Sequence, residues 1–359
     1  MMMKLLKAFL IGGIGGWIFS IINTPIPWTL GPLISTVIAK MWLKTDIFWP
    51  VRIRNTGMVI LGYIMGRTFT PETAKEIIAL LPILFLVTIG NIVLCLLGGL
   101  VTWRFCGLSL STSVFGSLPA GLHQMASICE EIEGADIGAI TLMQTIRVFT
   151  VVIVVPFISF HALSDQVEIV SNTTNFLTIH DLKILFLYFT IIAILILIIT
   201  KFFKTSGTLY VILPLIITAI ILLFGVSAPE LPATIVNIAQ IFVSIRIGST
   251  ININTLSNWK RISALSFLSV IGILIATLLI DYHLTQVAQM SFLTAFISTA
   301  PGGMAEMGLT AMAVHADLPK VIAFQFFRLL FVLLLVVPAS SWIVKRFKVG
   351  MIRLKGGSG

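Results

Sequence analysis

Two arginines stand alone inside long apolar runs, Arg147 and Arg328, and each follows a glutamine by three residues, Gln144 and Gln325. Positions three apart share a helical face. A guanidinium presents a planar fork of donors that fits a carboxylate or another oxyanion. The same Arg and Gln could instead tie the backbone carbonyls of a neighbouring segment, and the sequence leaves both roles open. Upstream of each pair lies a Pro-small-Gly break: Ser117-Leu118-Pro119-Ala120-Gly121-Leu122-His123-Gln124-Met125, and Thr299-Ala300-Pro301-Gly302-Gly303-Met304-Ala305-Glu306-Met307. Proline removes an N–H and glycine permits unusual backbone angles, so such a break can aim backbone dipoles at a solute.

Ser117, Pro119, Gly121, Gln124, Gln144 and Arg147 from the first copy are therefore candidate binding residues. Thr299, Pro301, Gly302, Gly303, Glu306, Gln325 and Arg328 are their partners in the second. Glu306 is the single acid in the two breaks, where the first copy has Gln124. It could carry a proton or pair with an arginine. His123 and His315 read as hydrogen-bonding groups, and Asp136 and Asp317 as helix N-caps. Arg246 has no counterpart in the first half, where position 64 is Ile, and ranks lower.

These residues sit in a chain written twice. Pro119 to Pro301 is 301 − 119 = 182 positions, and the same offset pairs Pro32 with Pro214 and Gly66 with Gly248. Several landmarks at one spacing argue for an internal duplication.

The elements that position them must lie in lipid. Of the 359 residues 58% are hydrophobic and 10% charged, with mean hydropathy +1.08, where a soluble domain carries roughly 25% charged residues. Apolar runs of about 20 residues, enough to cross a core of roughly 30 Å, recur along the whole length. At mid-bilayer a charge such as Arg147 costs at least about 2.5–3.5 kcal/mol, and so must face a partner or a cavity. The net charge of +9 is spread over segment ends, which is the positive-inside pattern and not a nucleic-acid patch. Cys95, Cys106 and Cys129 show no metal or disulfide spacing. Trp28, Trp42 and Trp49 at segment ends read as interfacial anchors. Gly12, Gly13, Gly15 and Gly16 in the first span favour close helix packing, within the chain or in a homodimer.

Spans are expected near 5–22, from a turn at 25–33 to about 40–44, near 53–69, 77–103 and 137–160, and again near 183–200, 209–224, 233–251, 262–280 and 319–344. With the N-terminus in the cytoplasm, the basic clusters at Lys201/Lys204, Lys260/Arg261 and Lys345/Arg346/Lys348 fall inside only if the Pro119 segment dips in and returns. The expected fold is thus an all-α polytopic membrane protein of two inverted-topology repeats. Each has about five transmembrane helices plus one re-entrant hairpin. Repeat 1 is 1–160 with its hairpin at about 109–133, and 161–182 is an external loop. Repeat 2 is 183–344 with its hairpin at about 287–315. A basic cytoplasmic tail, 345–359, ends in a Gly-Gly-Ser-Gly that reads as a cloning remnant. Paired broken helices in inverted halves point to a midplane site in a carrier.

The pattern Pro-(Ala/Gly)-Gly-x3-Met, then Asp-x7-Gln-x2-Arg, present twice, resembles the bacterial AbrB-type integral membrane family. Gly16-Trp17 and Trp28-x-x-Gly31-Pro32-Leu33 resemble it too. The resemblance spans essentially the whole chain. Leu213-Pro214-Leu215 departs from the Gly-Pro-Leu of the first half, so the halves need not contribute equally. Members are often labelled ammonia monooxygenases and have been linked to regulation of gene expression. An oxygenase needs a metal cluster, and no His/Asp/Glu set stands at ligand spacing. The small soluble DNA-binding regulator of the same name is a different protein. The expected function is a non-enzymatic secondary transporter of a small anionic solute in the bacterial inner membrane, with both termini cytoplasmic. It needs no cofactor beyond a coupling ion, H+ or Na+. The alternative is a membrane sensor that regulates gene expression through a partner protein.

Overall fold

The computed structural model describes residues 2–119, 135–163, 178–202, 207–250 and 258–340. Gly121, His123, Gln124, Cys129, the cluster at 345–348 and the tail end lie outside these residues. The regular elements among the described residues are all helical, without a strand. The first half holds α1 (Met2–Ile21), α2 (Pro27–Met41), α3 (Val51–Gly66), α4 (Pro71–Ala79), α5 (Leu81–Cys106), α6 (Leu110–Ser117) and α7 (Ile137–Ile158). The second holds α8 (Ile179–Phe202), α9 (Leu209–Leu223), α10 (Ala233–Thr250), α11 (Trp259–Val287), α12 (Phe292–Thr299), α13 (Met304–Ala313) and α14 (Leu318–Phe331). π-Helical turns extend α7 over Ser159–Leu163 and α14 over Val332–Val336.

Among the described residues seven helices are long and apolar enough to cross a membrane: α1, α5, α7, α8, α10, α11 and α14 with their extensions. Their outward faces carry large apolar side chains, as lipid contact requires. This is a multi-pass helical membrane protein. α2, α3 and α9 have only 15, 16 and 15 residues, so each spans about 22–24 Å at 1.5 Å per residue. The expected span at 77–103 is divided. A Thr70–Thr73 capping box starts the short α4, and Pro82 opens α5 after Leu80. α11 runs seven residues beyond the expected 280, so the second break starts at Ser291 and not at 287.

Two bundles result. α1, α2, α3, α9 and α10 pack on one another, with α8 against α9; α5, α6, α7, α11, α12 and α14 form the other, with α13 on α14. The bundles meet where α13 and α14 approach α3, and where Leu30 and Leu33 of α2 touch Val152 of α7.

In the first bundle the helices cross on glycines, and the crossings are exchanged between the halves. Gly66 on α3 lies against the Leu215 carbonyl and Thr218 of α9, while Gly248 on α10 lies against the Leu33 carbonyl and Thr36 of α2. Each of these partners is 182 positions from its twin. A Cβ on Gly66 would sit 2.6 Å from the Leu215 oxygen, and one on Gly248 2.8 Å from the Leu33 oxygen. Gly66→Ala and Gly248→Ala are therefore expected to destabilise the protein to a similar extent, about 1–3 kcal/mol as for other overpacked cores. Thermal unfolding in detergent checks this, and a neutral result for either would show that the two crossings are not equivalent.

Three of the four first-span glycines are occupied inside the chain, Gly12 by Ile245, Gly15 by Gly31 and Ser35, and Gly16 by Trp28, while a Cβ on Gly13 would meet nothing within 4 Å. Trp49 differs from the expected anchor: it is buried, and its indole N–H donates to the Phe242 carbonyl at 2.9 Å. Trp42 is exposed, as an anchor would be.

Candidate functional site

Both breaks are built by the same hydrogen bonds. Ser109 caps α6 by accepting the Thr112 N–H at 3.1 Å, and Ser291 caps α12 by accepting that of Thr294, also at 3.1 Å. The Thr112 hydroxyl accepts the Asp136 N–H at 2.9 Å; that of Thr294 accepts the Asp317 N–H at 3.1 Å. The start of each short helix is thus pinned to the start of the long helix that follows the break. In the second copy α12 runs in from Ser291, turns at Ala300–Gly303, and α13 returns toward Asp317. Asp136 and Asp317 are N-caps as expected, accepting from Ala139 at 3.1 Å and Lys320 at 3.2 Å.

The turn is held from behind by the Gln–Arg pair. A proline has no N–H, so Pro119 leaves the Phe115 carbonyl without its helical donor, and Pro301 does the same to Ile297. Gln144 Nε2 donates to Phe115 O at 3.0 Å, and Gln325 Nε2 donates to Ile297 O at 3.0 Å. Each glutamine replaces the bond its proline removed. Arg147 Nη1 donates to the Leu118 carbonyl at 2.5 Å. Arg328 donates to the carbonyls of Ala300 and Gly302, each at 2.7 Å, and to Gln325 Oε1 at 2.5 Å. All four side chains are buried. The carbonyl-tying role left open by the sequence is the one these distances describe.

The same arginines also reach open space. A cavity of about 190 Å³ lies between the bundles, lined by Arg147, Gly302, Gly303, Glu306, Gln325 and Arg328 on one side, with Pro119. Arg54, Met58, Val211, Arg246 and Thr250 line the other. Glu306 lies in the first turn of α13, where the positive end of the helix favours an acid. Its carboxylate folds over Gly303, and a Cβ there would meet Glu306 Oε2. Ser117, Gln144, Thr299 and Pro301 do not line the cavity; they support the turns. Gly121 and Gln124 fall outside the described residues.

Two cavity residues were missed or undervalued in the sequence. Arg54 looks like one more basic residue beside Arg52 at a segment end. Arg246 has no twin in the first half to mark it. Yet Arg54 makes no hydrogen bond among the described residues. Arg246 donates one, from Nη1 to Trp49 O at 3.1 Å, and its buried Nε has no partner there. With Arg147 and Arg328 committed to carbonyls, these two have donors left for a solute. His315 lies beyond the end of α13, away from the cavity, with φ of 52°.

Among the described residues no three His, Cys, Asp or Glu side chains cluster as metal ligands would. The sequence model of the AbrB family, described as transition state regulatory protein AbrB, matches residues 4–344. "Uncharacterized protein YhjN" of Bacillus subtilis (strain 168) is 28% identical to this chain over 352 residues, covering 91% of it and 90% of its own length. "Putative regulator AbrB" of Escherichia coli (strain K12) is 24% identical over 330 residues, covering 92% and 93%. Neither name describes an oxygenase. No solved structure matches the chain. The match over nearly the whole length, with the doubled Pro-Gly and Asp-Gln-Arg motif inside it, places this chain in the AbrB family.

Proposed function

We propose that the chain is a secondary carrier of a small anionic solute in the bacterial inner membrane. It consists of two inverted repeats of five crossings and one re-entrant hairpin each, with both termini cytoplasmic. The observation that carries this is the cavity between the bundles, lined by Arg54, Arg147, Arg246 and Arg328 against the single acid Glu306. Four positive groups less one negative leave 4 − 1 = +3 on its wall, which a solute with more than one negative charge would offset. At about 190 Å³ it suits a molecule smaller than the ligands of typical 300–1,000 Å³ pockets. Its position is what alternating access needs, because one bundle can move against the other and carry the hairpin tips with it. The pinning of Thr112 to Asp136 and of Thr294 to Asp317 supports the re-entrant topology, since both ends of each broken segment then lie at one membrane face.

The test is flux. Purified protein in proteoliposomes should exchange at least one member of a panel of small carboxylates, dicarboxylates and inorganic phosphate across the membrane. No movement under either a pH or a Na+ gradient, with binding retained, would sink the carrier and favour a second role. That role, a membrane sensor acting through a partner protein, is suggested by the regulator name of the Escherichia coli relative. It would show as anion binding without flux and as copurification of a regulator.

A further inference from the structure

We propose that Asp281 on α11 is a proton-binding site that communicates with the second hairpin through Thr299. Asp281 is fully buried, at 0% exposure. Its Oδ1 accepts the Thr299 hydroxyl at 2.7 Å, and its Oδ2 has no hydrogen-bond partner among the described residues. None of the ion pairs among those residues includes it. The helices packed on α11 are α5, α7 and α12. The titratable or charged groups on them are Cys95, Arg104 and Cys106 of α5 and Arg147 of α7, and none of these forms an ion pair with Asp281. A bare carboxylate without a cation is expensive at such a site, whereas a carboxyl that takes a proton is not.

The twin half shows what the hydroxyl does without the acid. Position 281 − 182 = 99 is Gly99, which faces Ser117, the counterpart of Thr299. There the Ser117 hydroxyl donates back to its own helix, to Val114 O at 2.9 Å. Thr299 has the equivalent acceptor, Phe296 O, at 3.3 Å. Two arrangements are therefore available to it. With Asp281 ionised, the Thr299 hydroxyl donates to the carboxylate. With Asp281 protonated, the hydroxyl turns to Phe296 O and accepts the new O–H, because a protonated carboxyl is a donor.

The reversal occurs one residue from the tip. The Thr299 carbonyl accepts from Asn91 Nδ2 and lies 3.5 Å from Arg328 Nη1. Arg328 in turn holds Ala300 and Gly302, and Gly302 faces the cavity. A proton on the far side of α12 is thus linked by three residues to the wall of the anion site. An alkali cation would require a shell of oxygens, and among the described residues the Thr299 hydroxyl is the one group hydrogen-bonded to the carboxylate. The proton's use in transport rests on the carrier reading; its binding does not.

The experiment is infrared difference spectroscopy between acid and alkaline buffers, on purified full-length protein without added solute. A protonated-carboxyl band is expected in the wild type and in Glu306→Gln. It should be lost in Asp281→Asn and shifted in Thr299→Val. Persistence of the band in Asp281→Asn overturns the proposal, as does a band that responds to Na+ replacing choline at fixed pH. If Asp281→Asn does not fold, Thr299→Val decides, because an unmoved band breaks the link. A failed flux panel leaves these spectra unaffected, so the two ideas fall separately.

Discussion

Replacing Arg328 by alanine is expected to lower the unfolding midpoint of the detergent-purified protein sharply, with no solute present. Arg328 is 5% exposed and donates to three acceptors within 2.7 Å: the carbonyls of Ala300 and Gly302, and Gln325 Oε1. The Ala300 carbonyl keeps bonds from Gln325 Nε2 at 3.1 Å and Gly302 N at 2.8 Å, but Gly302 O and Gln325 Oε1 lose their donor. Each buried acceptor left unsatisfied costs about 1–3 kcal/mol, so a loss on the order of 2 kcal/mol or more follows even if water relieves part of it. Gln325 would also lose the partner that orients its amide toward Ile297 O, and with it the repair of the bond removed by Pro301. Arg328→Lys should recover only part, because one ammonium cannot reproduce a fork that spans residues 300 and 302. The sign of the change is diagnostic. A group kept only for an absent anion would be a desolvated charge whose removal stabilises the empty protein. An alanine variant as stable as wild type would thus overturn the structural role.

Much of this arrangement can be read from residue order because duplication repeats whatever both halves need. Pro119 and Pro301, Gln144 and Gln325, Arg147 and Arg328, and the caps Asp136 and Asp317 recur together. All of them turn out to build or brace the breaks. Gly66 and Gly248 recur for the same reason, since two helix crossings need the same clearance. The residues that symmetry does not repeat are harder to place. Arg54 sits four residues into α3 and resembles a positive-inside marker. Arg246 lies 182 positions from an isoleucine, and Asp281 from a glycine. Asp281 also stands six residues before the end of α11, beside Tyr282 and His283, where an acid at the membrane surface would stand as well. Its burial depends on α11 running on past the level of the hairpin tip, which apolar periodicity does not disclose. Trp49 was misplaced for a related reason. A segment-end tryptophan looks the same whether it meets headgroups or, as here, the α10 backbone. Repetition therefore marks the scaffold, and the cavity's own chemistry lies where the repeats differ.

That distinction yields an opposite expectation for the unrepeated arginines. Arg54→Met and Arg246→Met should leave thermal stability unchanged or slightly raised. Arg54 satisfies no acceptor among the described residues, and Arg246 satisfies one, Trp49 O. Removing either lowers the positive charge of a cavity whose wall carries four arginines and one glutamate, and for Arg54 the lost attraction to Glu306 offsets part of the relief. Anion binding should suffer instead. A charge-assisted hydrogen bond contributes about 1.5–3 kcal/mol, and about 1.4 kcal/mol is tenfold in Kd. Each variant is then expected to weaken binding roughly 10- to 100-fold, and the double variant to abolish it. The measurement is the rise in unfolding midpoint produced by titrating small dicarboxylates or inorganic phosphate, with chloride at the same ionic strength as control. Wild-type protein should be stabilised by at least one anion of the panel, and Arg54→Met/Arg246→Met by none. If the double variant kept the full response, the anion would have to be held by Arg147 and Arg328. Those two also brace the hairpin carbonyls, so binding would then act directly on the tips.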